Sequence, residues 1–439
     1  MSRHLLRAAL LAMPAAFLAA CSESPVQPGD APPSPLFSAT SQGAPEAVMP
    51  GDVIVKFRPG TDAAAFASAR GLQVSEVGIG GRFHVLRGAI GAEHANAAAL
   101  GREAAVEYAE PNYLRQPTAI DSRLWAFYNP GGLNMKFTKG GSTGQFIPSS
   151  YASILDADED NVAGYAAGGS AVVVGSIDTG VDLTHPEFAG RLIAGWDWYS
   201  NDANPSDEDG HGTHTTGTMA GNTVGIAGVS GAAANVRVYV QRVCGRRGCP
   251  TSAIVSAIYA AADYPGLVAM NLSLGGTSES QAEAEAIAYA VGKGVLVIAS
   301  AGNSGSGTIA CPACDPNAIS VAATTWRDEL APYSQFGPGL DIAAPGGNCF
   351  SNTTPEGCIY SAYKGGGYAW MQGTSMAAPQ VTGTAGIVAS KTGLRGAALR
   401  SRLLSTTDDL GAVGPDQTFG SGRLNSYRAV TGNTLPSGQ

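Results

Sequence analysis

Three short segments of this chain carry side chains that together can perform nucleophilic catalysis. Gly373-Thr374-Ser375-Met376-Ala377-Ala378-Pro379 sets a serine just ahead of a small, apolar, helix-like run over 377–388. Asp209-Gly210-His211-Gly212-Thr213-His214 carries an imidazole, and Asp178-Thr179-Gly180 follows the apolar run 171–177. A serine hydroxyl is a poor nucleophile until a base takes its proton. Imidazole titrates near neutrality and can be that base. A carboxylate beside it fixes the tautomer and stabilises the imidazolium that forms. Taken singly each segment is bland: Asp-Thr-Gly is a common turn, and Gly-Thr-Ser-Met a common helix cap. Taken together they offer Ser375 as nucleophile, His211 as base and Asp178 as its orienting partner, in the order Asp, His, Ser. They lie so far apart in sequence that only a tertiary fold can join them. His211 and His214 also stand three positions apart, as zinc ligands on a helix can, but Gly212 follows His211 and the His-Glu-x-x-His pattern is absent.

The elements expected to position these groups alternate between short apolar runs and small-residue helical stretches. The runs 236–240, 268–274 and 295–301 are continuously apolar rather than alternating, as in strands buried on both faces of a parallel sheet. Sites in such sheets sit at the carboxyl ends of strands, and Asp178 and Asn303 each follow a strand-like run. A helix expected after Ser375 would favour negative charge at its N-terminus and aim the Ser375 N–H at a developing oxyanion. Ahead of this region a smaller pattern reads strand 53–57, helix 62–69, strands 72–77 and 83–86, helix 92–103 and strand 106–108. That βαββαβ order is the ferredoxin-like arrangement, which fits either a propeptide or a separate ligand-binding domain. The stretch 129–150 reads as an insertion loop.

With 439 residues, 44% hydrophobic, 14% charged and 59 glycines, the chain has material for more than one domain and for tight turns. A formal charge of −9 with no Lys/Arg block argues against nucleic acid as a partner. Arg3 and Arg7 precede an apolar stretch, 8–20, too short to span a bilayer, which reads as an export signal. It ends Leu18-Ala19-Ala20-Cys21, similar to the bacterial lipobox, in which the cysteine is lipidated; an ordinary signal peptide is the alternative. Residues 22–45, rich in Pro, Ser, Gly and Ala, read as a tether. Of seven cysteines, setting Cys21 aside leaves Cys244/Cys249, Cys311/Cys314 and Cys349/Cys358 as neighbours, for which local disulfides are the simplest pairing. Cys311-Pro312-Ala313-Cys314 could instead be a redox or metal CxxC.

Through these three motifs and their order the chain resembles the subtilisin-like serine proteases, the subtilases. The resemblance implies a three-layer α/β fold with a central, mainly parallel sheet, preceded by a small ferredoxin-like α+β propeptide domain. The parts would be a lipoprotein-type signal peptide (1–20), a tether (21–47), an inhibitory propeptide (48–117) and a catalytic domain (118–439). Glu110-Pro111-Asn112-Tyr113 is similar to the end of such propeptides, which template folding and then occupy the active site. Autocleavage would fall between about Arg115 and Arg123. Ser300-Ala301-Gly302-Asn303 resembles the oxyanion segment, so Asn303 and the Ser375 amide would form the oxyanion hole. Asn271-Leu272-Ser273-Leu274-Gly275-Gly276 resembles the substrate-binding strand, where Ser273, Leu274 and Gly275 would pair with an extended peptide. Ser300, Ala301 and Gly302 would wall the primary pocket, with Ala310 deep in it. No acidic residue falls there, which disfavours strict Lys/Arg specificity.

Family likeness also allows a structural calcium, and the acidic stretches 156–160 and 202–209 are its candidates, although neither fits an EF-hand. No cofactor is required for the chemistry. Gln372 and Gln380 depart from the family's usual serine and histidine beside the nucleophile. The implied protein is an exported, monomeric serine endopeptidase acting on proteins or peptides. Its rivals are an inactive cell-surface binding protein of the same fold and a ligase using the same acyl-enzyme.

Overall fold

The computed structural model of the protein describes residues 48–117, 135–139, 142–146, 168–222, 233, 235–325, 328–348 and 358–432. The signal and tether readings, with Cys21, lie outside these residues, as do Cys349 and the acidic stretch 156–160.

The N-terminal part runs β1 (Val48–Phe57), α1 (Ala63–Ser68), β2 (Gln73–Val77), β3 (His84–Arg87), α2 (Glu93–Leu100) and β4 (Val106–Pro117). Asp62 starts α1 by accepting the Ala65 N–H, one of the donors a helix start leaves unpaired. The strands form an antiparallel sheet in the order β4-β1-β3-β2. Alternation along β1 divides its side chains between two faces. Val53 and Val55 pack with Leu86 and Val106 under Ala67 of α1 and Ala97 and Leu100 of α2. Ile54 turns the other way and, with Phe83, Val85 and Tyr108, enters the core of the larger part of the molecule. β4 runs well past the strand expected at 106–108. Its Tyr113 still pairs with Val48 of β1, and from Leu114 on it pairs with strands of the larger part.

β5 (Met135–Lys139) and β6 (Ser142–Phe146) form an antiparallel hairpin inside the stretch read as an insertion loop. The sequence signal was Gly140-Gly141 between two short runs, a pair suited to hairpin turns.

The larger part continues β7 (Val172–Asp178), β8 (Leu192–Asp197), α3 (His211–Ala220), β9 (Val236–Arg242), β10 (Cys249–Pro250), α4 (Thr251–Ala262), β11 (Leu267–Leu272), β12 (Leu274–Gly275), α5 (Gln281–Gly292), β13 (Leu296–Ser300), β14 (Ile319–Thr324), β15 (Ile342–Pro345), β16 (Ile359–Tyr363), β17 (Gly367–Met371), α6 (Thr374–Thr392), α7 (Gly396–Ser405) and α8 (Ser426–Thr431). Seven strands form a parallel sheet in the order β15-β14-β13-β11-β7-β9-β8. Both faces are covered, which explains the continuous apolar runs. Val174, Val238, Ile298 and Val321 meet Ala377, Val381 and Ala385 of α6 on one side. Ile177, Met270, Leu272 and Val297 meet Ile254 and Ile258 of α4 and Ile287 of α5 on the other. Small residues let α6 lie close on the sheet: a Cβ on Gly386 would already press on Val174 and Val236 at 3.0 Å. β7 has β9 on one side and β11 on the other, so the chain order reverses there. The crevice outside the carboxyl end of β7 is thus a topological switch point, where open α/β sheets bind ligands. Asp178 is its last residue.

Candidate active site

Asp178 ends β7 in a fully buried position, and its Oδ1 accepts the Thr179 N–H at 2.7 Å. The same oxygen lies 2.7 Å from Nδ1 of His211, the first residue of α3. Two glycines make this approach feasible. A Cβ on Gly212 would lie 2.1 Å from the Gly180 carbonyl oxygen, and one on Gly210 (φ +115°) would lie 2.1 Å from the Tyr363 ring. Asp207 fastens the same junction. Its Oδ1 accepts from Thr179 Oγ1 at 2.9 Å and from the Gly210 N–H at 2.8 Å, while its Oδ2 accepts from the Thr213 N–H at 2.9 Å. The start of α3, which carries His211, is thereby tied to the residue after Asp178.

With Nδ1–H donated to Asp178, the neutral His211 presents Nε2 as an acceptor, and that buried atom has no hydrogen-bond partner among the described residues. Burial by itself would pull the imidazole pKa down. The carboxylates of Asp178, Asp209 and Asp207 outweigh it and hold the group above its usual 6.5. His214 behaves oppositely: burial, with the charge of His211, pulls it down to about 3. Its Nε2 lies 3.1 Å from both the Ile359 and Ala369 carbonyls, so that nitrogen carries the proton and binds α3 to the hairpin of β16 and β17. The two histidines are committed to different partners and do not form a metal pair.

Ser375 is the second residue of α6, so the helix starts at Thr374 rather than after the serine. Pro379 stands four residues on and has no N–H, which leaves the Ser375 carbonyl without its helical donor. Ser273 Oγ supplies one at 2.9 Å, and Ser375 Oγ in turn donates to the Ser273 carbonyl at 3.4 Å. Beside them Asn303 accepts through Oδ1 from the Thr374 N–H at 2.9 Å and from Thr374 Oγ1 at 3.0 Å. That fixes its amide and leaves Nδ2 buried with no partner among the described residues, although such groups are nearly always paired in folded proteins.

Ser273, Leu274, Gly275, Ser300, Ala301 and Gly302 line the edge next to these groups. Backbone pairing with β4 runs through Leu274 to Pro117 and Gly275 to Gln116 on β12, and through Cys249 to Arg115 and Pro250 to Leu114 on β10. Ser300 and Ala301 are buried, and a Cβ on Gly302 would strike Gln335 Oε1 at 2.0 Å and the Ala310 methyl at 2.9 Å. Gln335, which also donates its N–H to the Gly302 carbonyl at 2.9 Å, was missed in the sequence because a single glutamine carries no pattern.

Two of the three expected cysteine pairings are present as bonded sulfurs, Cys244 with Cys249 and Cys311 with Cys314. In that form the CxxC offers no thiolate to a metal. The third expected pairing, Cys349 with Cys358, is not among the disulfides between described residues. Cys358 is fully buried just ahead of β16 and its sulfur is held in a disulfide, 3.7 Å from Gln372 Oε1, but Cys349 lies outside the described residues. The local partner expected for Cys358 therefore stays an expectation from the spacing.

In the acidic stretch 202–209 the carboxylates already serve protein donors, Glu208 pairing with Arg242 of β9 at 2.8 Å. Asp202 Oδ1 accepts the Asn204 N–H at 2.8 Å, and Asp207 holds the contacts above. Among the described residues no three His, Cys, Asp or Glu ligand atoms converge there. Gln380 Nε2 donates to the Pro345 and Met376 carbonyls, bracing α6 against β15.

The N-terminal part holds β4 in this cleft by supplying caps. α4 has no side-chain cap of its own behind Pro250. Asn112 fills that role, accepting the Ser252 N–H at 3.1 Å and donating to Ser252 Oγ at 3.0 Å. The Glu110 carboxylate accepts from Ser280 Oγ and the Gln281 N–H at 2.7 Å and from the Ala282 N–H at 3.0 Å, at the start of α5. The Arg82 guanidinium sits 4.3 Å from the Tyr259 ring on α4 and 4.0 Å from the Tyr289 ring on α5. Lys56 Nζ lies 2.7 Å from Glu285.

Comparison with known proteins gives two family matches. Residues 169–422 match the Subtilase family, and residues 38–112 match the fervidolysin N-terminal prodomain. The chain is 34% identical over 396 residues to the thermophilic serine proteinase of Bacillus sp. (strain AK1), covering 88% of each. It is 38% identical over 265 residues to thermitase of Thermoactinomyces vulgaris, covering 60% of this chain and 90% of that one. Among solved structures it is similar to a lanthipeptide protease, with a TM-score of 0.53, 28% identity and coverage of 60% of this chain and 88% of that one.

Proposed function

That this chain belongs to the subtilase family, as a subtilisin-like serine endopeptidase with a prodomain, is the premise from which we propose its chemistry and its maturation. Ser375 Oγ leaves the Ser273 carbonyl, gives its proton to His211 Nε2 and bonds to the carbonyl carbon of the substrate. The carbonyl electron pair moves onto oxygen, and the resulting anion accepts from Asn303 Nδ2 and the Ser375 N–H. The imidazolium, stabilised by Asp178, passes its proton to the leaving amine as the C–N bond breaks. Water then attacks the acyl-enzyme with His211 again as base, and Ser375 recovers its proton. Two buried polar atoms without partners among the described residues carry this reading: His211 Nε2, ready for a proton, and Asn303 Nδ2, ready for an anion. No step is routed through a metal.

The same site takes the chain itself as its first substrate. The end of β4 pairs with β12, as an extended peptide substrate would. Pro117 lacks an N–H and suits a non-hydrogen-bonded pair with Leu274, which makes its neighbours in register the hydrogen-bonding positions. We take the bond cut to fall between about Arg115 and Arg123. The domain boundaries then stand at 1–20, 21–47, 48–117 and 118–439, with residues 48–117 as intramolecular chaperone and inhibitor. Export through the N-terminal signal, lipid on Cys21 and a local disulfide from Cys358 to Cys349 complete the proposal. Lipid at Cys21 would anchor the propeptide and leave the mature enzyme free after cleavage.

Intact mass of the wild-type precursor beside Ser375→Ala, both made without the signal, tests this. Wild type should fall into two fragments, whose masses give the bond cut, while Ser375→Ala stays whole. Two whole chains would favour the inactive, surface-binding reading instead.

A further inference from the structure

One donor at the Asp178 carboxylate has no part in the chemistry above. Oδ1 is occupied by the Thr179 N–H and by His211, both at 2.7 Å. Oδ2 accepts, among the described residues, from Thr215 Oγ1 alone, at 3.1 Å. Thr215 is fully buried on α3, four residues after His211 and on the same face of the helix. Its single hydroxyl proton has a second acceptor within reach, the Gly212 carbonyl at 3.2 Å, but an ionised acceptor binds a proton donor more strongly than a neutral one.

We propose that Thr215 is a positioning residue for the catalytic pair: its hydroxyl holds the second oxygen of Asp178 so that the first stays on His211 Nδ1, and it limits how tightly Asp178 retains the imidazole proton. The inference rests on the proposed triad. A hydrogen bond to the ionised form makes a carboxylate less basic. Negative charge that Asp178 shares with the hydroxyl is withheld from the imidazolium, so the hydroxyl works against the pull of the surrounding acids. Those acids are Asp178 from β7 and Asp207 and Asp209 from the loop before α3. His214 on α3 is kept neutral, Tyr363 of β16 donates its phenol to the Asp209 carbonyl at 2.8 Å, and Lys364 just beyond β16 offsets Asp209. α6 faces the pair with Ser375, which carries no charge.

The test is kcat, KM and the pH profile of kcat/KM on a peptide amide substrate for Thr215→Val, Thr215→Ser and Thr215→Ala in the full chain. Each is normalised to the fraction of active sites titrated by a serine-reactive phosphonate. Thr215→Val should lower kcat about tenfold, the scale of one hydrogen bond to a charged group, with KM unchanged. Its acidic limb should move to higher pH, and Thr215→Ser should restore both. If the valine chain fails to fold, Thr215→Ala against Thr215→Ser isolates the hydroxyl, since both lack the methyl group. A merely structural role would reduce the titratable fraction and leave kcat and the limb in place, which overturns the proposal. Ser375→Ala run alongside separates the two levels. Activity persisting there overturns the triad and this role with it. An inert Ser375→Ala beside a Thr215→Val of wild-type kcat and limb overturns the Thr215 role alone.

Discussion

Asn303 shows how a single residue can be legible as a type and illegible as a geometry. Its place in Ser300-Ala301-Gly302-Asn303 marks it in the sequence, but only Thr374 explains why its Nδ2 is left over: both Thr374 donors lie on Oδ1. Asn303→Ala should lower kcat by about 10²–10³ with little change in KM, a scale known for an oxyanion asparagine of a subtilisin. An equal rise in KM with kcat intact would remove Asn303 from the oxyanion hole. The pH dependence belongs to His211. Because Asp178, Asp209 and Asp207 hold its pKa above 6.5 against the effect of burial, the unprotonated base appears only at higher pH. Activity should therefore fall as pH drops through that raised value, with the acidic midpoint of kcat/KM above 6.5. A midpoint below it would mean that burial wins.

At the scale of elements, α4 and α5 are helices whose starts are completed by another part of the chain. Pro250 gives α4 a start with no side-chain cap, and Asn112 provides it; Glu110 adds a carboxylate at the start of α5, where a helix favours negative charge. Deleting a capping side chain costs about 0.5–2 kcal/mol. In the Ser375→Ala precursor, Asn112→Ala and Glu110→Ala should each lower the thermal midpoint by that amount of stability, and in active chains each should speed release of the processed prodomain. Unchanged melting in both would mean that the Arg82 contact with Tyr259 and Tyr289 holds the prodomain unaided.

On the scale of the whole molecule, a buried charge network ties the C-terminal segment to the loop after β14. Arg423 donates to Asp328 at 2.6 Å and to Asp408 at 2.5 Å, and Arg428 reaches Asp408 at 3.0 Å. The Arg423 side chain is 5% exposed, and its loss would strand the mostly buried Asp328 and leave Asp408 with Arg428 as its cation. Breaking such a pair from one side costs about 3–5 kcal/mol. Denaturant melts of Arg423→Ala in the inactive Ser375→Ala background should show a loss of that size, and a shift under about 1 kcal/mol would class the network with exposed ion pairs.

The chemistry on offer and the order of the parts are legible in the residues alone. Asp178, His211, Asn303 and Ser375 are readable because their neighbours are small residues and glycines, which close approach demands. The buried parallel strands are readable because burial on both faces removes the polar half of the pattern. Chain reversal at β7, the reach of β4 into the cleft, and the roles of Thr215, Asp207 and Gln335 were decided only in three dimensions. Each depends on a hydrogen bond or contact between segments distant in sequence, and the register of such contacts is set by the packing of the whole core. The same holds for Pro379: in the sequence it is one residue of the helix-like run 377–388, and only the fold shows that it frees the Ser375 carbonyl that Ser273 takes. Residue types announce what can react; the backbone groups left unpaired by the fold decide where those residues come to rest.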